Sequence, residues 1–179
     1  LACGGDALVR TAAIDQVGAY RETLIAGEEP EFCLRLREKG WRIWRLDAEM
    51  TRHDAAIVRF GQWWKRSRRA GHAFAEVSAL HARSPYGIWA HETRRALLWA
   101  GAAPAAIALA LAVSPAFLAA LLLYPAQVAR LYWRHRGEGA DALPRAALTV
   151  LAKFAEAKGA LRYYLGRLGA GRRGLIEYK

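Results

Sequence analysis

Glu28, Glu29 and Glu31 fall within four consecutive positions, Glu28-Glu29-Pro30-Glu31, ahead of an apolar-periodic stretch that stops at Gly40. An ionised carboxylate held within hydrogen-bond reach of a hydroxyl can take its proton. The same residues also make a well-capped helix without any catalysis. Pro30 suits a first helical position, where its missing N–H costs nothing. The carboxylates face the positive end of the helix dipole, and Gly40 is a natural C-terminal stop. Two further groups carry reactive or binding side chains. Gly4-Gly5-Asp6 forms a turn whose glycines allow close backbone approach to a ligand and whose Asp6 can accept a hydrogen bond. Downstream, Gln62-Trp63-Trp64-Lys65-Arg66-Ser67-Arg68-Arg69 sets Arg66 and Arg69 three apart on one helical face. Two guanidinium groups so placed suit an anionic leaving group. A basic helix at lipid headgroups, with Trp63 and Trp64 as interfacial anchors, is the competing reading.

The elements that must hold these groups read as follows. Ala7 to Arg10 is a strand, and Thr11 to Gly18 is a helix closed by glycine. The acidic cluster opens a second helix ending at Gly40. Trp41 to Leu46 follows as a second strand, and a short loop leads to the lone imidazole of His53.

This order of motifs, CGGDALVR, then AGEEPEFCLRLREKGWRIWRL, then TRH, resembles the second half of the catalytic domain of family 2 glycosyltransferases. The resemblance implies an α/β fold: the C-terminal half of a GT-A catalytic domain, whose nucleotide-binding first half lies outside this chain. It implies inverting transfer of a sugar from a nucleotide-sugar donor to a glycan or polyprenyl-linked acceptor, in polysaccharide or cell-envelope biosynthesis. The family's Glu-Asp pair matches Glu28-Glu29, so Glu29 takes the place of the base that deprotonates the acceptor. Glu for Asp adds a methylene and leaves Glu28 as the alternative. Glu31 matches a further acidic position, with a capping or supporting role. Gly4, Gly5 and Asp6 match the turn lining the acceptor side of the cleft. His53 matches a ligand of the Mg2+ or Mn2+ ion that holds the donor diphosphate; the partner Asp-x-Asp motif does not occur in this chain. Gln62, Trp63, Arg66 and Arg69 fall in a segment similar to that of nonprocessive, exopolysaccharide-type relatives. They are assigned to substrate, the arginines to the departing nucleoside diphosphate.

Charge is unevenly distributed along the 179 residues, which carry a net +11. Residues 1–95 hold 16 Lys and Arg against 12 Asp and Glu, residues 96–129 hold none, and residues 130–179 hold 11 against 4. A membrane helix needs roughly 20 residues to cross about 30 Å of hydrocarbon. The 34 uncharged residues are long for one span and short for two. Ser114-Pro115 near the middle breaks helix, giving a hairpin of about 89–112 and 115–133. Arg94 and Arg95 before it, and Arg130, Arg134 and Arg136 after it, put both ends on the cytoplasmic side. Trp89, Trp99, Tyr124, Tyr132 and Trp133 suit the headgroup level. A buried hairpin of a soluble protein is the alternative.

From Leu143 to Leu168, apolar residues recur at three- and four-residue spacing beside Lys153, Lys158, Arg162 and Arg167. This reads as a basic amphipathic helix on anionic lipid, or as a helix packed on the catalytic part. The expected organisation is therefore 1–83 catalytic, 84–95 linker, 96–129 transmembrane and 130–179 cytoplasmic tail, in a bacterial inner membrane. Cys3 and Cys33 have no metal-ligand spacing and read as free thiols. The excess positive charge flanks an apolar run and no nucleic-acid motif occurs, which argues against a nucleic-acid binder. A membrane-associated interaction protein retaining part of the fold is the alternative to an enzyme.

Overall fold

A computed structural model describes residues 7–47 and 56–169. Among them every regular element is helical: α1 (Thr11–Val17), α2 (Glu28–Glu38), α3 (Phe60–Leu80), α4 (Ala90–Leu97), α5 (Ala103–Val113), α6 (Leu123–His135) and α7 (Ala142–Leu168). A π-turn, Leu98–Ala102, joins α4 to α5, and a 3-10 segment, Pro115–Leu122, leads into α6.

The expected α/β architecture is therefore wrong for the described residues. Ala7–Arg10 and Trp41–Leu46 are extended but lie in no sheet. A strand is defined by its ladder, and alternation alone does not supply a partner. The alternation itself has a use. Trp41 and Ile43 pack on a small core of Ala13, Phe32 and Leu36, and Val9 reaches the same core. Arg42 and Trp44 between and beyond them face outward. The turn that sends Trp41 inward is a Schellman closure of α2. Gly40, at φ +81°, donates to Arg37 O at 2.9 Å, and Trp41 N donates to Leu36 O at 3.0 Å.

The longest packing seam joins α3 to α7. It is built from small residues: Gly71 and Ala75 on α3, and Ala155, Gly159 and Ala160 on α7 are all buried. A Cβ on Gly71 would lie 2.0 Å from Glu156 O, and one on Gly159 would lie 2.0 Å from Arg68 O. The two backbones thus meet where neither helix has a side chain.

The uncharged region folds into a helical hairpin. Ala90–Val113 and Pro115–Glu138 are each 24 residues, long and apolar enough to cross a membrane. Ser114 breaks them in extended conformation, and its hydroxyl accepts from Ala116 N at 3.3 Å. Only 11% of the first arm's apolar stretch and 0% of the second's is buried, so the hairpin is not the internal core of the described residues. Pro104 explains the π-turn. Ala103 N bonds back to Leu98 O, and the next donor in that pattern would be Pro104, which has no N–H. Trp99 O accepts from the Tyr124 hydroxyl at 2.7 Å. Apolar surroundings demand such internal satisfaction.

Candidate functional site

The acid-bearing helix is fixed through Glu31, whose side chain is 0% exposed. It sits one helical turn inside α2, facing the rest of the protein. Arg21 Nε donates to Glu31 Oε1 at 2.6 Å. Arg35, one turn further along α2, donates from Nε to Oε2 at 2.9 Å. His81, at the C-terminal end of α3, lies with Nε2 2.9 Å from Oε1. An ionised carboxylate only accepts, so Nε2 of His81 carries the proton. Burial alone raises the Glu31 pKa. The hydrogen bonds from Arg21, His81 and Arg35, with the Arg35 charge, outweigh it and hold the group below its ordinary value of 4.5.

Arg35 extends this cluster to α1. Its terminal nitrogens donate to Val17 O, to Gly18 O at 3.3 Å and to Ala19 O at 2.7 Å. These carbonyls lie at the end of α1, where cationic donors are favoured. One arginine thus ties the end of α1 to the first turns of α2, while His81 ties α2 to α3.

The mouth of α2 is held a second way. Gly27, its N-cap, has φ +86°. A Cβ there would lie 2.6 Å from the Trp89 ring and 3.6 Å from Ala73 Cβ. The glycine is required both by its conformation and by the indole lying over it. Trp89 in turn stacks at 5.0 Å from Phe74 of α3. Arg69 of α3 donates from Nε to Ile25 O at 2.6 Å, bracing the loop that leads into Glu28. Glu28 and Glu29 occupy the first two positions of α2 and are half-buried at this mouth.

The sequence-predicted site is thus only partly assembled by the described residues. Glu28, Glu29 and Arg69 converge on the mouth of α2. Arg66 lies one turn before Arg69 and is exposed. Gln62 has a different use: its Oε1 accepts from Arg59 N at 3.0 Å and Val58 N at 3.1 Å, closing the start of α3. Trp63 is ten residues from Ala73, about 15 Å along the helix. It lines a separate open cleft of about 530 Å³ with Arg145, Thr149, Lys153 and Glu156 of α7. Gly4, Gly5, Asp6 and His53 lie outside the described residues. Among the described residues no three His, Cys, Asp or Glu side chains form a metal-binding group. They do not compose a divalent-cation site by themselves. The Cys33 side chain is fully buried in α2.

Sequence reasoning missed Arg21, Arg35, His81, Gly27 and Trp89 as parts of this site. The four-residue spacing of Glu31 and Arg35 was an available signal for one pair; the other contacts join distant segments. No family model, no curated protein and no solved structure matches this chain.

Proposed function

We propose that this chain is the membrane-attached part of an inverting glycosyltransferase that uses a nucleotide-sugar donor and a glycan or polyprenyl-linked acceptor. The observation that carries the reading is the clamped mouth of α2. Glu28 and Glu29 are held there by the buried Glu31 cluster, by Gly27 under Trp89 and by Arg69. A general base needs this sort of fixed placement. Glu29 takes the acceptor proton as the hydroxyl oxygen attacks the anomeric carbon. The bond to the nucleoside diphosphate breaks on the opposite face, its electron pair leaves with the diphosphate, and configuration inverts. Arg66, exposed on α3, faces the departing anion; Arg69 serves chiefly as a brace. The Mg2+ or Mn2+ ion of the resemblance would involve His53 and ligands from outside this chain.

The hairpin belongs in a bacterial inner membrane with the acid-bearing part in the cytoplasm, where nucleotide sugars are made. The arginines at both ends support that orientation.

The test uses the full gene product in membranes, supplied with a panel of radiolabelled nucleotide sugars. Glu29→Gln keeps size and hydrogen bonding but cannot take the proton. Turnover is expected to fall by about 10²–10⁴ with donor binding retained. Normal turnover in Glu29→Gln with an inactive Glu28→Gln transfers the role to Glu28. Normal turnover in both removes the catalytic reading and favours a non-catalytic membrane-associated interaction protein.

A further inference from the structure

Trp89 is the residue at which the hairpin begins, yet it does not behave as a surface anchor. Its backbone is left-handed, at φ +54°, an uncommon conformation for a bulky residue. Its carbonyl starts α4, accepting from Thr93 N at 3.0 Å and from the Thr93 hydroxyl at 2.9 Å. Thr93 is itself buried, so this first turn is fixed on both sides. The left-handed bend turns the indole away from the helix axis. It is wedged between Phe74 of α3, at 5.0 Å, and the N-cap Gly27 of α2. The ring carbons lie 2.6 and 2.8 Å from where a Cβ on Gly27 would stand, so nothing larger than glycine fits beneath the ring. One side chain therefore joins the N-cap of a membrane-length helix to the residue that precedes Glu28 and Glu29.

We infer that Trp89 is a positioning residue that couples the membrane hairpin to the acid-bearing mouth of α2. The inference rests on the proposed glycosyl transfer for its catalytic consequence, though not for its mechanical one. Backbone strain of this kind persists only where surrounding structure over-determines it. Here the surroundings are the two bodies being joined. With the indole gone, Gly27 regains conformational freedom and the α2 mouth loosens, while the Glu31 cluster one turn deeper still holds the rest of the helix.

The test compares wild type, Trp89→Ala and Trp89→Phe in the full gene product, reconstituted in phospholipid nanodiscs. Amide hydrogen exchange is followed for residues 25–31 and for the buried part of α3 around Ala75 and Val77. In Trp89→Ala, exchange in 25–31 should rise at least tenfold with α3 unchanged, and Trp89→Phe should restore most of the protection. Turnover should fall about tenfold in Trp89→Ala with unchanged apparent affinity for the donor, and recover in Trp89→Phe. Unchanged exchange in 25–31 overturns the coupling, whether or not the protein transfers sugar. Raised exchange with unchanged turnover overturns the positioning role. A wild type with no transferase activity removes the proposed function instead, and the exchange comparison then decides the coupling alone. If Trp89→Ala loses protection throughout α3, Gly27→Ala replaces it, pressing on the same contact from the other side; unchanged exchange in 25–31 there overturns the coupling.

Discussion

At the scale of the residue, Glu31 decides more than the acids flanking it. A carboxylate taken out of water costs several kcal/mol unless its partners are well placed. Glu31 has three, from α2, from the loop before it and from the end of α3. Its pKa is raised by burial and lowered further by the hydrogen bonds from Arg21, His81 and Arg35, so it ends below 4.5. A group with a lower pKa folded than unfolded stabilises the fold fully above its unfolded value. That contribution is lost as pH falls through the folded value. The thermal midpoint of the wild type should therefore drop on acidification below about pH 4.5, the unfolded limit. Glu31→Gln leaves Arg35 facing a neutral amide in a buried site. It should cost about 3–5 kcal/mol at pH 7, as breaking a buried pair does, and should flatten the acid limb. Tryptophan fluorescence on heating, across pH, reads both. Equal acid slopes in the two proteins would show that Glu31 is not the titrating group. Arg21 is 43% exposed whereas Glu31 is fully buried, so Arg21→Ala should cost less than removing Glu31.

At the scale of the element, punctuation was legible and facing was not. Gly18 and Gly40 close α1 and α2 near where the sequence puts their ends, and Ser114-Pro115 breaks the hairpin. The π-turn before Pro104 and the 3-10 segment after Ser114 depend on how the two arms pair, which no local pattern encodes. The eight-residue 3-10 segment rises about 2 Å per residue against 1.5 Å in α-helix. It lengthens the second arm, so Tyr124 reaches Trp99 from fewer residues beyond the turn. α7 has nearly the predicted length, yet its large apolar residues are not its buried face. Leu161, Leu165 and Leu168 are exposed, whereas Gly159 and Ala160 are buried. A seam of touching backbones selects small residues, which hydropathy periodicity overlooks. The expected strand at Trp41–Leu46 failed for the complementary reason: alternation reports one buried face, and the core of α1 and α2 supplies that without a ladder. Glycine substitutions test the seam. Gly159→Ala puts a Cβ 2.0 Å from Arg68 O and should destabilise by about 1–3 kcal/mol or more. Gly61→Ala, in the partner helix α3 but facing open space, should stabilise by up to about 1 kcal/mol through helix propensity. Thermal unfolding in one detergent measures the opposite signs; the same sign for both would remove the seam.

At the scale of the whole molecule, the distribution of charge and exposed apolar surface sets an orientation. Leu109, Val113 and Leu122 of the hairpin are 73%, 80% and 66% exposed. A contiguous apolar surface of this kind needs a cover, and the lipid bilayer suits two arms of 24 residues. The helices that pack together at the base of the hairpin, α3, α4 and α7, carry Arg66, Arg94, Arg95 and Arg162. Positive charge at both ends of the hairpin is the basis for the proposed cytoplasmic placement of those ends. The leucines of α7, with Lys158 and Arg162 beside them, then lie where an anionic lipid surface can receive them. The prediction is that Ser84 and Gly169 share one side of the membrane and Ser114 approaches the other. Single cysteines are placed at 84, 114 and 169 in a protein whose Cys3 and Cys33 are replaced by alanine. Intact cells are treated with an impermeant thiol reagent, then permeabilised and treated again. Positions 84 and 169 should label only after permeabilisation, and position 114 should label before it. Labelling at 169 but not at 84 in intact cells would mean one tilted span and would overturn the hairpin. Labelling at 84 and 169 but not at 114 would invert the orientation and put Glu29 on the side without nucleotide sugars. That outcome would remove the proposed transfer reaction as well, because the acid pair and Ser84 are tied together through α3 and His81.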